Sequence, residues 1–291
     1  MVRYNKSMLS DVQVAELESR AEAIRETIVT MLVAAGSGHT AGPLGMADIF
    51  TALYFNVLRH DPKNPEWTER DRLILSNGHI APVRYATMAH AGYFPVDECL
   101  TLRKFGSRLQ GHPERLKLPG LETTSGPLGE GLSQAGGIAY AFRMDGKSSR
   151  VYCAMGDGEQ DEGNVWEAFM WIGKNRLSNV TAIIDRNNIQ IDGMTEHIMP
   201  LEPLREKYEA FNWHVLEVDG HNIPQFIAVC DEAKAIAEKP TVIIAHTIPG
   251  RGVKEIEGDY RWHGKPPKAE EAKRFLSELR TMQGKITGEH Q

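Results

Sequence analysis

The apolar positions of the chain follow two spacings that alternate along its length. In residues 11–35 they recur every three or four positions, which predicts a long helix. Ser10 and Gln13 form a candidate capping box at its start, and Gly36 is a candidate C-cap. Further helical patterns cover residues 46–57, 80–91, 132–143, 163–175, 223–238 and 268–282. Short continuous apolar runs, typical of buried strands, occupy residues 72–75, 150–154, 180–184, 213–218 and 241–245.

This order of strands and helices predicts the fold class. Strands that alternate with helices and are apolar throughout favour a parallel sheet covered by helices on both faces, as in α/β proteins. Small residues such as Gly136 and Gly137 permit close packing of the helix that contains them. No internal repeat or low-complexity tract interrupts the pattern, so residues 1–291 are expected to form a single domain.

The stretch of residues 155–193 contains a candidate site for a metal and a phosphate. Gly156 and Gly158 allow a sharp turn around Asp157, directly after a predicted strand. Asn187 follows the next strand, and a right-handed strand, helix, strand unit places the two strand ends side by side. Two hard oxygen donors near a helix N-terminus suit a divalent cation that is bound to a phosphate.

Several other loops rich in Gly and His lie at predicted strand ends or helix starts. Open parallel sheets bind ligands at the carboxyl ends of their strands, so these loops are expected to meet at one crevice. A single histidine of this kind is more often a surface or core residue, and the hypothesis therefore depends on the whole set. The loops are Ser37-Gly38-His39-Thr40, Ser76-Asn77-Gly78-His79, Gly111-His112-Pro113-Glu114, Ser125-Gly126-Pro127-Leu128-Gly129 and Trp262-His263-Gly264.

Composition narrows the class of partners. With 33 Lys and Arg against 39 Asp and Glu, the formal net charge is −6, which disfavours nucleic acid or an anionic membrane as the main partner. The three cysteines, Cys99, Cys153 and Cys230, lack the spacing of a disulfide framework or a zinc site. The sequence has no signal-peptide core and no run of roughly 18 apolar residues. A cytoplasmic protein without a membrane segment is therefore expected.

The motifs stand in the order found in one enzyme family. From roughly residue 15 to residue 270 the chain resembles the N-terminal, diphosphate-binding part of transketolases, which are thiamine diphosphate enzymes that move two-carbon ketol units between sugars. A lone Gly-Asp-Gly carries little information, whereas the full series at compatible spacing is specific. The series is Ser37-Gly38-His39, Arg70-Asp71-Arg72 with Ser76-Asn77-Gly78-His79, Gly111-His112-Pro113-Glu114, Gly126-Pro127-Leu128-Gly129, Gly156-Asp157-Gly158, Asp192-Gly193 and His263-Gly264. The resemblance implies the thiamine-diphosphate-binding fold, with thiamine diphosphate and Mg²⁺ as cofactors.

The resemblance also implies which residues hold the cofactors. The Mg²⁺ ligands would be Asp157, the side-chain oxygen of Asn187 and the backbone carbonyl of Ile189. The residues around thiamine diphosphate would be His79 and His263 at the diphosphate, Gly158 and Asn187 beside it, and Gly126, Pro127 and Leu128 at the aminopyrimidine. The alternative is that Asp157 is a turn residue, Asn187 a cap and the Gly-Pro-Leu-Gly segment a simple chain reversal.

Catalytic roles are implied for three histidines and one glutamate. Because the cofactor supplies the reactive centre, the protein has to position the substrate and manage protons, which neutral imidazoles do well near pH 7. By resemblance, His39 and His263 would contact the hydroxyl groups and the developing oxyanion of the donor sugar, with His112 close by. Glu162 would help to link two active sites at a subunit interface. Its alternative role is an acidic residue that stabilises a helix N-terminus.

The chain also departs from the family. Thr40-Ala41-Gly42 stands where transketolases commonly have Pro-Gly, so the loop near the donor is expected to differ. The sequence ends at Gln291, whereas transketolases continue into a pyrimidine-binding and a C-terminal domain, and the pyrimidine-binding domain carries the glutamate that activates the cofactor. We therefore expect one subunit of a split transketolase. A separately encoded pyrimidine-domain chain would complete it as a heterotetramer of two plus two.

The expected reaction is transfer of a two-carbon ketol unit from a ketose to an aldose. Two alternatives stay open from the sequence: a subunit of another thiamine diphosphate enzyme, such as a synthase that uses pyruvate, and a non-catalytic module that only binds the cofactor. The sequence also leaves the sugar open, between the pentose phosphate route and a dedicated pathway for a modified sugar.

Overall fold

The structure is a computed structural model that describes residues 9–289, and the side chains of residues 9–282. Its strands are β1 Arg72–Leu75, β2 Val151–Gly156, β3 Val180–Arg186, β4 Ile189–Gln190, β5 Gly193–Met194, β6 His214–Asp219 and β7 Thr241–His246. Its α-helices are α1 Asp11–Ala35, α2 Ala41–Gly45, α3 Ala47–Ala52, α4 Ala81–His90, α5 Glu130–Met144, α6 Gly163–Lys174, α7 Thr195–Ile198, α8 Leu204–Ala210, α9 Ile223–Ala235 and α10 Ala269–Glu289.

Local signals place the ends of the first helix. The Ser10 hydroxyl accepts from the Gln13 backbone N–H at 3.3 Å, and the Gln13 side chain accepts from the Ser10 N–H at 2.9 Å. Both halves of the predicted capping box are therefore present. Gly36 adopts a left-handed conformation with φ 63° and closes the helix through bonds to Leu32 and Val33 carbonyls.

Five strands form one parallel sheet in the order β1-β2-β3-β7-β6. One face packs against α1, α3, α4, α9 and α10, and the other against α5, α6 and α8. Alternate strand residues point to opposite cores, as Tyr152 and Cys153 do on β2. The predicted α/β fold with a doubly covered parallel sheet is confirmed. Within residues 9–289, no helix has the length and apolar character that crossing a bilayer requires.

The helix predicted for residues 46–57 differs from the structure. Helical turns begin at Ala41, break at Met46, and end in a π-helical turn over Leu53–Val57. The earlier start is stabilised by a distant loop, because the Ala41 carbonyl accepts from the Gly250 N–H at 2.8 Å. The Thr40 hydroxyl likewise donates to the Lys265 carbonyl at 2.6 Å. Contacts between residues this far apart in the sequence cannot be predicted from the local pattern of apolar residues.

Further differences between the predicted and the observed elements lie after β3, in the segment that contributes to the candidate site. The antiparallel hairpin of β4 and β5 and the short helices α7 and α8 were not predicted. Two-residue strands are too short to show alternation, so the pattern could not reveal them. The last helix extends to Glu289 instead of ending near residue 282.

Candidate functional site

The carboxyl edge of the sheet collects the polar loops. Asp157 follows β2 directly, and Asn187 follows β3. The paired register of these strands, with Gly156 opposite Asp185, places the two loops side by side. His79 lies in the turn after β1, the next strand of the sheet. The structure therefore brings three predicted loops to one edge.

The two carboxylate oxygens of Asp157 have different surroundings. The side chain is buried, with 1% of the residue exposed. Its Oδ1 accepts from the Gly158 N–H at 2.7 Å. Its Oδ2 accepts from the Asn188 N–H at 2.7 Å, from Arg186 Nη1 at 3.1 Å and from the Thr195 hydroxyl at 3.4 Å. Burial raises the pKa of Asp157, and the Arg186 charge and these hydrogen bonds oppose that rise.

Asn187 and Ile189 lie opposite Asp157 at the start of the hairpin. The Asn187 Nδ2 donates to Asp185 Oδ2 at 2.8 Å, and its Oδ1 accepts from the Ile189 N–H at 3.0 Å. The second bond fixes which end of the amide is the oxygen, because a backbone N–H can only donate. Asp185 is itself held by the Thr247 hydroxyl, and burial, together with the nearby Asp157 charge, raises its pKa to about 7.

Three histidines from different loops form a cluster. The ring centroids of His39 and His79 are 4.9 Å apart, those of His79 and His263 are 5.0 Å apart, and those of His39 and His263 are 5.6 Å apart. They come from the loop after α1, the loop after β1 and the turn before α10. The convergence that the loop pattern suggested is thus present for these three residues.

Burial makes this cluster neutral near pH 7. It lowers the pKa of His39 to about 4, and the nearby His263, Arg103 and His112 act in the same direction. It lowers the pKa of His79 well below its ordinary value and also lowers that of His263. A neutral imidazole donates one hydrogen bond and accepts another, which suits a site that binds hydroxyl groups.

His112 lies beside the predicted aminopyrimidine turn rather than within the cluster. A Cβ added at Gly126 would be 3.9 Å from the His112 Cγ. The ring is exposed, and burial together with the Arg103 charge lowers the pKa of His112. Pro127 and Leu128 are exposed at the tip of the same turn. A partner chain or a ligand can therefore reach this turn from outside.

Gly158 and Glu162 flank the acidic turn after β2. A Cβ at Gly158 would lie 3.2 Å from the Gln190 Cβ, so a larger residue there would push against the hairpin. Glu162 is the exposed N-cap residue of α6, and its side chain makes no capping hydrogen bond with that helix. Its carboxylate is thus available at the surface, next to Gly129.

The sequence pattern missed four residues of this region. Glu159 is buried, although acidic residues after a Gly-Asp-Gly turn suggest a solvated loop, and Arg186 is buried at the end of β3. Asp185 interrupts an apolar strand, which was the one available signal for it. Arg103 has a left-handed backbone with φ 60°, and its guanidinium would lie 2.8 Å from a Cβ added at Gly111.

Several buried polar atoms at this edge have no partner within the described part of the chain. They include both side-chain amide atoms of Asn77, and the Nδ1 atoms of His39 and His263. Leaving such groups unpaired costs roughly 1–3 kcal/mol each, so the arrangement favours a polar ligand that supplies the missing bonds. A diphosphate with its cation fits these donors and the oxygens of Asp157 and Asn187.

Comparisons with known proteins identify the family of the chain. Residues 17–284 match the family described as transketolase, thiamine diphosphate binding domain. The 6-deoxy-6-sulfo-D-fructose transketolase subunit SqwG of Clostridium sp. (strain MSTE9) is 41% identical, over 93% of this chain and 98% of that protein. An apulose-4-phosphate transketolase subunit from Phocaeicola vulgatus is 40% identical, over 92% of this chain and 95% of that protein. A solved Pichia stipitis transketolase in complex with sedoheptulose 7-phosphate is 32% identical, with a TM-score of 0.86.

The chain belongs to the transketolase family and constitutes its thiamine diphosphate-binding domain. Within that family it matches proteins named as transketolase subunits over nearly their whole length. The match to the Pichia stipitis structure includes 95% of this chain but only 44% of that longer chain. Thiamine diphosphate is therefore the cofactor that this fold binds.

Proposed function

We propose that this chain is the diphosphate-binding subunit of a two-chain transketolase, which transfers a two-carbon ketol unit from a ketose to an aldose. The observation that carries the proposal is the convergence of neutral His39, His79 and His263 at the sheet edge where Asp157 and Asn187 also lie. Binding of the cofactor alone would not require a cluster of neutral imidazoles facing the same edge. That cluster favours an enzyme over a non-catalytic module.

The metal of the site is proposed to be Mg²⁺. Its protein ligands would be Asp157 through Oδ1, Asn187 through Oδ1 and Ile189 through its carbonyl, with diphosphate oxygens completing the shell. Within the described residues, no group of three His, Cys, Asp or Glu side chains could hold a metal alone. Diphosphate oxygens as further ligands match the way Mg²⁺ binds phosphates.

Each site residue has a proposed task once the cofactor is bound. Thiamine diphosphate supplies a carbon nucleophile and an electron sink. His79 and His263 donate hydrogen bonds to the diphosphate oxygens. Gly158 allows the backbone to approach them, and the turn of Gly126, Pro127 and Leu128 contacts the aminopyrimidine.

The donor sugar is proposed to bind against the remaining histidine atoms. His39 and His263 each offer a ring nitrogen to its hydroxyl and carbonyl oxygens, and the exposed His112, beside the Gly126 turn, is a further contact. Because these imidazoles are neutral, each can hold or accept a proton from a sugar hydroxyl near pH 7. Glu162 would contact a second copy or the partner chain.

A partner subunit is part of the proposal. The relatives that this chain matches nearly end to end are named as subunits, which supports a separately encoded chain that supplies the pyrimidine-binding domain. We propose residues 1–291 as a single domain, and a heterotetramer of two plus two.

The relatives' names also favour a modified sugar, such as a sulfonated or branched ketose, as the donor class. The three buried free cysteines fit a reducing cytoplasm.

The test combines this chain with a pyrimidine-domain chain and follows ketol transfer from sulfonated, branched and ordinary ketose phosphate donors. Activity is expected only in the mixture, and transfer by this chain alone would contradict the split arrangement. Asp157→Asn should reduce metal-dependent cofactor affinity by about 100-fold or more, because it removes a charged ligand. Asp145→Asn, at the exposed end of α5, is the matched control. Pyruvate serves as an alternative donor, and its use in place of a ketose would favour a synthase.

A further inference from the structure

Thr40 joins the loop that carries His39 to the turn that carries His263. Its side chain is buried, with 0% of the residue exposed, and its hydroxyl donates to the Lys265 carbonyl at 2.6 Å, across 225 residues of sequence. Thr40 directly follows His39, and Lys265 is the second residue after His263. Within the described part of the chain, no other hydrogen bond connects the loop between α1 and α2 with the turn before α10.

The turn before α10 is fixed on its other side by that helix. Trp262 is buried and packs edge-on against Phe275 of α10, with the ring centroids 5.4 Å apart. The Lys265 ammonium lies 3.6 Å from the centroid of the Trp262 ring and 3.3 Å from a carboxylate oxygen of Glu271 on α10. The hydrogen bond to the Lys265 carbonyl extends this support to the loop of His39.

The two imidazoles depend on this support for their positions. Neither the His39 Nδ1 nor the His263 Nδ1 has a hydrogen-bond partner among the described residues. A Cβ added at Gly264 would lie 3.7 Å from His39 Nε2, so the backbone of the turn runs beside that ring. Because no hydrogen bond at Nδ1 fixes either ring, the distance of 5.6 Å between their centroids depends on the backbones that carry them.

We propose that Thr40 is a positioning residue, whose hydroxyl holds His39 and His263 at the separation that the donor sugar requires. The inference rests on the proposed function, since it takes these histidines as the sugar contacts. Without the hydroxyl, the Lys265 carbonyl needs another donor, and the two loops have to separate to admit water. Catalytic geometry is sensitive to such a displacement, because a shift of about 1 Å can cost about 100-fold in rate.

The experiment compares variants of the full chain assembled with its partner, thiamine diphosphate and Mg²⁺. Thr40→Val keeps the shape of the side chain but removes the hydroxyl, and it should lower kcat/KM of ketol transfer by about 10- to 100-fold. Thr40→Ser keeps the hydroxyl and should stay within about threefold of wild type. Thr40→Ala also removes the hydroxyl and is used if the Val variant does not fold. Thr51→Val is the matched control, because Thr51 is equally buried but donates within its own helix, to the Ala47 carbonyl at 2.8 Å.

A second measurement does not depend on the reaction. The pKa of the His39 imidazole, which burial lowers to about 4, is followed by NMR in the full chain. Separation of the loops in Thr40→Val should raise this pKa towards the ordinary value of 6.5, because water then reaches the ring. Thr40→Ser and Thr51→Val should keep the pKa of wild type.

The outcomes separate this inference from the proposed function. A loss of kcat/KM and a raised pKa of His39 in Thr40→Val, both restored in Thr40→Ser, support the positioning role. A folded Thr40→Val variant with both quantities equal to wild type would overturn it, and so would a Thr40→Ser variant as impaired as Thr40→Val. If wild type transfers no ketol unit with its partner, the proposed function is wrong, and the NMR comparison alone decides whether Thr40 holds the loop of His39.

Discussion

Glu159 Oε1 accepts a hydrogen bond from the Gly129 N–H at 2.7 Å, across 30 residues of sequence. The same oxygen accepts from the Ser76 hydroxyl, and Oε2 accepts from the Gly156 N–H at 3.0 Å. One buried carboxylate therefore ties together the loop after β1, the end of β2 and the turn that precedes α5. Those loops carry His79, Asp157 and the proposed aminopyrimidine contacts, so Glu159 fixes their relative positions.

Glu159→Gln is expected to destabilise the chain by about 1–3 kcal/mol, because the amide NH₂ has to face a donor at one of these positions. Denaturant unfolding measures this change. Cofactor affinity should fall as well, since the Gly129 turn loses its anchor. Glu167→Gln, at an exposed position of α6, is the control and should stay within about 0.5 kcal/mol of wild type. Equal stability of the two variants would contradict the anchoring role of Glu159.

The sheet and its covering helices were predictable because their signals are local. The capping box at Ser10 and the apolar run of Val180–Arg186 are both complete within a few residues. The Gly and His loops were found for a related reason, since tight turns at strand ends need particular residue types. The convergence of His39, His79 and His263 could be expected only from the topology of a parallel sheet.

The features that could not be predicted from the sequence are buried charged side chains. Glu159 lies in the segment Glu159-Gln160-Asp161-Glu162, whose charge suggests a solvated turn, yet Glu159 is 2% exposed. Its burial is compensated by hydrogen-bond donors from residues up to 83 positions away. Arg186 is similar, because its partners include carboxylates on an unpredicted segment. Pairing of this kind follows from the tertiary fold and not from spacing along the chain.

Arg25 on α1 is expected to be the most sensitive charge away from the site. It is 2% exposed, and it contacts Glu22 at 2.6 Å, Asp48 at 2.5 Å and the Leu44 carbonyl at 3.1 Å. Although burial opposes ionisation of Asp48, the Arg25 charge and the hydrogen bond with His221 together outweigh it and lower the pKa of Asp48. Arg25→Met should therefore cost about 3–5 kcal/mol of unfolding free energy, because buried carboxylates lose their cation.

A surface ion pair between α10 and α1 provides the comparison for Arg25. Arg280 contacts Glu26 at 3.1 Å, but the Arg280 side chain is 65% exposed. Arg280→Met should change the free energy of unfolding by only about 0–1 kcal/mol. Urea unfolding of both variants gives the measurement. Similar losses in the two would show that the buried network contributes no more than an exposed pair.

Adjacent glycines on α5 are expected to respond with opposite signs. A Cβ at Gly136 would lie 2.8 Å from Ile172 Cγ1 on α6, whereas a Cβ at Gly137 would meet nothing within 4 Å. Gly136→Ala should therefore destabilise the chain by about 1–3 kcal/mol, because α5 and α6 must move apart. Gly137→Ala should stabilise it by up to about 1 kcal/mol through helix propensity. Thermal unfolding of the isolated chain measures both, and a stabilising Gly136→Ala would contradict the close contact of the helices.

The neutral state of His39 predicts how stability changes with pH. Burial lowers its pKa from 6.5 to about 4, so between these values the unfolded chain binds a proton that the folded chain does not. The contribution of His39 to stability is complete above pH 6.5 and declines as the pH falls towards 4. His39→Gln should flatten the dependence of unfolding free energy on pH in this window by up to about one bound proton. The lowered pKa values of His79 and His263 act in the same direction, so part of the slope should persist.

The measurement is denaturant unfolding at several pH values between 4 and 7, for wild type, His39→Gln and the exposed His197→Gln. His197→Gln is the control for the replacement of an exposed imidazole. A His39→Gln slope equal to that of wild type would mean that His39 takes up its proton in the folded chain as readily as in the unfolded one. In that case the imidazole would be partly charged near pH 6.5, and the effect of burial on the pKa of His39 would be wrong.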